Sequence, residues 1–278
     1  MIIRIGFDIA LQLPAPTAIV FVLRVHPSRQ HDVIEGENFT TTPPLEVEEY
    51  LDVYGNLCGR VNVEAGVIRF QNSALVRDSG ELDPYAPDAF EHDVRQMPVE
   101  TLKFVLASRY CEVDSELLDF AWNTFGQVKP GWGRVSAICE FVYNHLKFDY
   151  LQARVNRTAL DAFRERVGVC RDFAHLAITL CRCLNIPARY VTGYLGDIGV
   201  PPVPEPMDFS AWFEAYLGDR WYTFDARHNA RRIGRIVIAR GRDAGDVPIT
   251  MVFGKHTIEH FQVVTEEVCY AGPGPSDL

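Results

Sequence analysis

The decisive stretch of the chain places a cysteine just after a glycine and a valine: Gly168-Val169-Cys170-Arg171-Asp172-Phe173-Ala174-His175-Leu176-Ala177. Apolar residues then recur at steps of three and four, at Phe173, Leu176, Ala177, Leu180 and Leu184. This spacing predicts an amphipathic helix with those residues on its buried face and with His175, Thr179 and Arg182 on the opposite, polar face. At the helix N-terminus, unpaired N–H groups and the helix dipole favour a thiolate at Cys170 and can stabilise a neighbouring oxyanion. A small core cysteine is the alternative.

The segments after this helix predict antiparallel strands, two of them joined as a hairpin by a Gly-Asp turn. The predicted ranges are 186–194 for a turn into a strand, then 209–217 and 221–226 for the hairpin. A two-residue turn pairs Leu217 with Arg220 and Trp212 with Asp225. In that register Ser210, Trp212 and Asp225 share one face of the sheet, with Ser210 diagonal to Asp225.

The run from Gly168 to Tyr194, together with Ser210-Ala211-Trp212 and Phe224-Asp225-Ala226, resembles the bacterial branch of the transglutaminase-like superfamily. That family uses a Cys, a His and an Asp in this chain order. Its cysteine opens a helix, and the other two residues lie on neighbouring strands. The resemblance implies Cys170 as nucleophile and Asp225 as the carboxylate, whereas Ser210 stands where the family has its catalytic histidine.

A histidine downstream offers a possible substitute. His228 lies three residues beyond Asp225, so in a continuous strand it points to the opposite face. It reaches the site only if the strand ends or bulges at Ala226. His175 is the weaker candidate because it falls on the polar side of the predicted helix. The isolated histidines predicted to be structural or exposed are His26, His31 and His92.

The periodicity changes along the chain and predicts an α+β fold in two domains. Residues 1–90 form an all-β sandwich or barrel, because apolar residues alternate in a series of predicted strands. These strands cover residues 3–13, 17–26, 45–54, 57–64 and 67–76. Residues 80–88 are rich in Pro and Asp and read as a linker.

Residues 91–270 form a transglutaminase-like, papain-like core in which the cysteine helix packs on an antiparallel sheet. Further helices are expected at 115–125, at 135–146 and from Thr158, and the last strands at 233–239 and 259–265. The Gly/Pro-rich segment 271–278 is predicted to be a disordered tail.

The charge and the cysteine content of the chain argue against several kinds of partner and site. The 278 residues carry a net charge of -10, which argues against nucleic acid or an anionic membrane as the main partner. Seven cysteines, an odd number without CxxC spacing, predict neither a disulfide framework nor a zinc site. The apolar run 18–23 is too short to span a bilayer. We therefore expect a cytoplasmic protein without cofactor or metal, and the oligomeric state is left open.

The resemblance implies a thiol enzyme acting on amide bonds of a peptide or protein substrate. In the family, the thiolate forms a thioester and an amine or water then takes the acyl group. Three functions follow for this sequence: an acyltransferase with a modified triad, a simple amidase or peptidase, and a catalytically impaired pseudoenzyme that binds peptides or proteins. In the first two, Cys170 should be the most reactive of the seven thiols.

Overall fold

The computed structural model describes residues 1–203 and 207–268. The strands are β1 (Ile2–Leu13), β2 (Thr17–Phe21), β3 (Val33–Glu35), β4 (Thr40–Thr42), β5 (Glu48–Leu51), β6 (Leu57–Val63), β7 (Gly66–Arg77), β8 (Lys147–Phe148), β9 (Val167–Gly168), β10 (Ala188–Tyr194), β11 (Ser210–Leu217), β12 (Arg220–Phe224), β13 (Ile236–Gly241), β14 (Thr250–Val252) and β15 (Thr257–Val268). The helices are α1 (Leu117–Phe125), α2 (Trp132–His145), α3 (Ala159–Glu165) and α4 (Cys170–Cys183). Short 3-10 turns occupy Pro27–Asp32, Val94–Gln96, Val99–Phe104 and Tyr150–Gln152. The predicted α+β class is confirmed.

Two antiparallel sheets form the N-terminal layers. One has the order β15-β1-β7-β3, with β4 also paired to β7, and the other has the order β14-β2-β6-β5. Alternating apolar residues of β1 and β7 point into the space between the sheets, as the period-two pattern predicts. The ring centroids of Phe21 in β2 and Phe70 in β7 lie 5.3 Å apart across that space. The arrangement is a sandwich whose core is continuous with that of the helical region.

The last two strands belong to this sandwich rather than to the sheet beside the cysteine helix. β15 pairs along nearly the whole of β1, from Ile2–Val268 to Gln12–Thr257, and β14 pairs with β2. Strand pairing thus groups residues 250–252 and 257–268 with the N-terminal sheets. The division into domains at 1–90 and 91–270 stays a prediction, and it does not account for these two strands. The predicted tail 271–278 lies outside the described residues.

The remaining large sheet has the order β12-β11-β10-β13, and α4 packs against β10 and β11. Helices α1, α2 and α3 cover the other sides of α4. The expected polar face of this helix is wrong: His175, Thr179 and Arg182 are as buried as the apolar residues. Because the helix is enclosed on every side, those residues are held by internal contacts. The Arg182 guanidinium, for example, donates to the carbonyl oxygens of Ala188 and Leu106.

The hairpin register is confirmed where the ladder exists. Leu217 pairs with Arg220, and both turn residues adopt positive φ, 51° at Gly218 and 68° at Asp219. Such angles are those of a tight type I′ turn, which glycine and aspartate tolerate. The ladder ends at the pair Phe213–Phe224, so the expected pairing of Trp212 with Asp225 is not formed.

Two short strands, β3 and β4, lie within a polar stretch that sequence periodicity does not resolve. They are three residues each and pair with β7, and β2 is shorter than the predicted 17–26. Within the described residues, no helix is long and apolar enough to cross a membrane.

Candidate active site

Cys170 is the first residue of α4, and a carboxylate fixes its position. Asp172 accepts the backbone N–H of Val169 at 2.9 Å and an N–H of Arg157 at 3.1 Å. Residue 168 must be glycine, because a Cβ added there would lie 2.6 Å from the Asp172 side chain. This closed turn sets the start of the helix, so the sulfur stands at the N-terminal end of α4 as the sequence predicts.

The resting state of Cys170 differs from the expectation. Burial raises the pKa of its thiol to about 11, Asp208 adds to the rise, and Arg227 together with backbone hydrogen bonds from Ala211 and Arg171 oppose it. The expected thiolate is therefore not favoured: near pH 7 the sulfur is protonated. Cys58 and Cys111 have their pKa raised to a similar level. Cys170 differs from them in being half-buried, whereas the five other described cysteines are buried.

Asp225 lies one residue beyond β12 and organises a turn. One carboxylate oxygen, Oδ1, accepts the backbone N–H groups of Arg227 and His228 at 3.0 and 3.1 Å. The Asn229 N–H in turn donates to the Asp225 carbonyl oxygen at 2.8 Å. These contacts draw the chain out of the strand at the point where a continuous strand would have carried His228 to the opposite face.

The other oxygen of Asp225 joins an imidazole and a guanidinium. His228 Nδ1 lies 2.9 Å from Oδ2, and Arg235 Nη2 donates to the same oxygen at 2.8 Å. Burial opposes the charge on Asp225, but Arg235 and His228 outweigh it and hold the pKa of the carboxyl below its ordinary value. Arg235 is itself packed 4.8 Å from the ring centroid of Trp212. Since an ionised carboxylate can only accept, the imidazole donates through Nδ1 and leaves Nε2 as its acceptor.

Ser210 is the first residue of β11 and pairs with Gly193 of β10. Its side chain is buried, and its Oγ has no hydrogen-bond partner among the described residues. It lines two cavities. The thiol cavity, of about 480 Å³, is lined by Cys170. The histidine cavity, of about 370 Å³, is lined by His228. Asp208, Phe209 and Ser210 form the wall that the two cavities share.

The thiol cavity has more apolar than polar surface, although Arg154, Arg171 and Asp208 also line it. Its walls come from both parts of the fold. Tyr110 and Tyr190 lie near the cysteine, while Phe261 of β15 and the segment 247–250 come from the C-terminal part of the chain. Ring centroids of Phe209 and Phe261 are 6.0 Å apart. The sandwich therefore contributes directly to the space in front of the sulfur.

Comparisons with known proteins identify the family of the chain. Residues 120–226 match the sequence model of the transglutaminase-like superfamily. A Mycobacterium leprae protein is 32% identical over 235 residues, covering 81% of this chain and 83% of the relative. The crystal structure of a Cytophaga hutchinsonii protein, described as a "Putative Cysteine Protease", superimposes with a TM-score of 0.83 at 31% identity, covering 98% of this chain and 92% of that one. The chain belongs to the transglutaminase-like superfamily.

A Mycobacterium tuberculosis protein is 26% identical over 156 residues, which are 52% of this chain and 49% of that protein. The superfamily match contains Cys170, Ser210 and Asp225 but ends before His228. The structure brings Cys170 and Ser210 to one cavity, and it joins Asp225 to His228 and Arg235 rather than to Ser210. The role of these residues in catalysis stays a prediction.

Three other histidines, His175, His26 and His31, make contacts elsewhere in the fold. His175 is fully buried, stacks on Tyr110 with 5.1 Å between ring centroids, and accepts the Ala244 N–H at 3.1 Å. His26 is buried beside Ser28, while His31 is exposed. No cluster of His, Cys, Asp or Glu that could hold a metal ion occurs in ranges 1–203 and 207–268.

Sequence reasoning did not find two members of the site, Arg227 and Arg235. Arg235 was missed because its partners, Asp225 and Asp83, are far apart in the sequence. Arg227 lies inside the turn, and its importance depends on the turn geometry. A local signal for that turn was available, because an aspartate such as Asp225 can accept hydrogen bonds from the backbone N–H groups two and three residues after it.

Proposed function

We propose that the chain is a thiol enzyme that hydrolyses or transfers the acyl part of amide bonds in peptides or proteins. Cys170 is the nucleophile and the His228–Asp225 pair supplies acid–base catalysis in place of the superfamily's strand histidine. The observation that carries the proposal is the 2.9 Å contact between His228 Nδ1 and Asp225 Oδ2, on a turn bordering the wall next to Cys170. Membership of the superfamily supports the reaction class.

The first half of the reaction forms a thioester. Because the Cys170 thiol is protonated near neutral pH, its proton must leave as the sulfur attacks the amide carbonyl carbon. His228 Nε2 takes that proton, directly or through one water, and then gives it to the departing amine as the C–N bond breaks. Backbone N–H groups at the N-terminus of α4 stabilise the oxyanion of the intermediate.

The second half returns the enzyme to its resting state. His228 takes a proton from water or from an acceptor amine, which attacks the thioester carbonyl. As the C–S bond breaks, His228 gives that proton to the Cys170 sulfur, which leaves as a thiol. Water gives hydrolysis and an amine gives transfer. Asp225 keeps the imidazole in one tautomer and stabilises its protonated form. No cofactor enters either half, and a reducing, cytoplasmic setting, which keeps the sulfur as a thiol, is part of the proposal.

The pseudoenzyme alternative is favoured by one observation. Burial places Cys170 in the thiol form, as it does for the structural Cys58 and Cys111. A binding protein of this fold would retain the thiol cavity and bind peptides without turnover. The two functions differ in whether His228 changes the reactivity of the sulfur.

The test moves the imidazole between its two possible positions. Loss of acid–base help in His228→Ala should lower kcat by roughly 10²–10⁴-fold on a glutamine-containing peptide or an ester. His31→Ala, at an exposed histidine, is the matched control and should leave kcat unchanged. In the His228→Ala background, Ser210→His should restore part of the activity because it returns an imidazole to the superfamily position, on the wall of the cavity that Cys170 lines.

Thiol alkylation gives a second readout. Limiting iodoacetamide near pH 7 should label Cys170 before the five other described cysteines and more slowly in His228→Ala. Cys269 lies outside the described residues and is mapped in the same experiment. Equal labelling of Cys58 or Cys111, combined with no measurable turnover, would favour the pseudoenzyme. Unchanged kcat in His228→Ala would exclude His228 as the base.

A further inference from the structure

The histidine cavity contains cationic groups that the proposed reaction does not use. Arg227 and Arg232 line it together with His228 and with Asp208 of the shared wall. Arg227 makes no ion pair with any carboxylate in the described part of the chain. Its guanidinium lies 3.9 Å from the ring centroid of Phe148, a contact that orients the group but leaves its N–H donors available. An oriented, unpaired guanidinium in a cavity is suited to an anionic ligand.

Arg232 has a second N–H donor without a partner. The residue is only 6% exposed, and its Nε is buried without a hydrogen-bond partner. Its Nη2 donates to the Gly196 carbonyl oxygen at 2.9 Å and lies 3.9 Å from Asp197, at the outer limit of an ion pair. A buried donor without a partner costs free energy unless a ligand or water satisfies it. Neighbouring Arg235 differs in being paired with both Asp83 and Asp225, although its Nη1 also has no hydrogen-bond partner among the described residues.

The carboxylates of the cavity limit what kind of anion fits. Asp197 accepts the Val203 N–H at 2.9 Å, and Asp208 accepts the Phe209 N–H at 2.6 Å. Burial raises the pKa of the Asp208 carboxyl, although the hydrogen bond from the Phe209 N–H and the charge of Arg227 oppose that shift. With both carboxylates present, a dianion would be repelled, whereas a carboxylate matches the planar fork of one guanidinium.

The position of the cavity indicates which part of the substrate carries that carboxylate. His228 lines the same cavity and, in the reaction proposed above, protonates the departing amine. Groups attached to the leaving nitrogen therefore extend into this cavity, while the acyl part occupies the apolar thiol cavity. In a peptide, a carboxylate one carbon away from the leaving nitrogen is the α-carboxylate of a C-terminal residue.

We infer that the histidine cavity binds the free C-terminal carboxylate of a peptide through Arg227 and Arg232. The inference rests on the proposed function and makes the substrate a peptide cleaved at its last amide bond. The balanced reaction is R–CO–NH–CHR′–COO⁻ + H₂O → R–COO⁻ + H₃N⁺–CHR′–COO⁻. The amide C–N bond breaks, a C–O bond forms, and a free amino acid leaves. In acyl transfer, an acceptor amine takes the place of water.

Binding without turnover tests this inference separately from the reaction. The Cys170→Ala protein is titrated calorimetrically with N-acetyl-alanyl-alanine, with its C-terminal amide, and with inorganic phosphate. We expect the acid to bind at least tenfold more tightly than the amide and phosphate to bind more weakly than the acid. Arg227→Gln should reduce the ratio of acid to amide affinity to near one, whereas Arg227→Lys should keep part of it.

Arg220→Gln is the matched control, because Arg220 also lies over an aromatic ring, that of Tyr222, but does not line the cavity. It should leave the ratio unchanged. Equal affinity for acid and amide, tighter binding of phosphate, or no binding of the acid up to roughly 10 mM would each overturn the inference. If the ratio holds while the wild-type protein shows no turnover, the proposed function fails and the carboxylate site stands.

Discussion

Asp172 and Asp225 both accept hydrogen bonds from nearby backbone N–H groups, but their side-chain partners differ in kind. Asp172 accepts a backbone N–H three residues back and pairs with Arg157, which is 2% exposed. Asp225 accepts a backbone N–H three residues ahead and pairs with His228, which is 25% exposed. The first partner is permanently charged and sealed in the interior, whereas the second can exchange protons and opens on a cavity. The same capping geometry thus fixes the start of the Cys170 helix in one place and holds the His228 imidazole at a cavity in the other.

If the proposed reaction is correct, the largest effect is expected from breaking the His228–Asp225 pair. Asp225→Asn removes the charge that fixes the His228 tautomer and stabilises its protonated form, so kcat should fall by roughly 10²–10⁴-fold. Asp83→Asn is the matched control because Asp83 shares Arg235 with Asp225 but does not contact His228. Steady-state rates on an amide substrate check the prediction. Equal losses of kcat in the two variants would mean that Arg235, not His228, matters.

The pH dependence of stability sharpens the same comparison. The Asp225 pKa is lower in the folded protein than its ordinary value of about 3.9, so the carboxylate stabilises the fold above that pH. This contribution is lost as pH falls from about 4 towards the depressed folded pKa. Urea unfolding from pH 6 downward should show a steeper loss in the wild type than in Asp225→Asn. Parallel curves would contradict the assigned direction of the shift.

A smaller effect, on the free energy of unfolding, is expected from changing the other aspartate, Asp172. Asp172→Asn leaves the Arg157 guanidinium without its buried carboxylate, and the free energy of unfolding should fall by about 3–5 kcal/mol. Glu165→Gln is the matched control, since Glu165 also contacts Arg157 at 3.0 Å but is 33% exposed. Its loss should stay below about 1 kcal/mol. Denaturant titration of both variants measures the difference, and similar losses would remove the distinction between the buried and the exposed partner.

The smallest effect is expected at the residue that replaces the superfamily histidine. The Ser210 hydroxyl is buried without a partner, so Ser210→Ala removes no hydrogen bond and should change the free energy of unfolding by less than about 0.5 kcal/mol. We also expect kcat to stay within a few-fold of the wild type. A tenfold or larger fall in kcat would show that the hydroxyl takes part in the chemistry and that His228 does not act alone.

Local patterns predicted much of this fold because their causes lie within a few residues. The steps of three and four after Cys170 predicted α4, and the Gly-Asp pair predicted the hairpin turn and its register. Alternation predicted β1 over almost its full length. These patterns do not predict what packs against the polar side of a helix or strand. Arg182 reads as a solvent-facing residue until the carbonyl groups that surround it are known.

The site shows the same division. The positions of Cys170 and Asp225 in the fold could be predicted because a helix start and a hairpin place them, while their catalytic role stays a prediction from the superfamily resemblance. His228 was only an alternative because its direction depends on whether the strand ends, and the Asp225 side chain decides that by capping two N–H groups. The pKa of Cys170 could not be predicted, because the helix terminus and burial act in opposite directions and only the structure shows that burial is larger.

The pairing of β1 with β15 also has a consequence for the order of events during synthesis. Strands about 260 residues apart must meet before the first sheet is complete, and such distant contacts form slowly. Phe261, in β15, lines the same cavity as Cys170. The wall of the thiol cavity is therefore complete only after residue 261 has been translated, and a nascent chain that already carries Cys170 does not yet have this cavity closed.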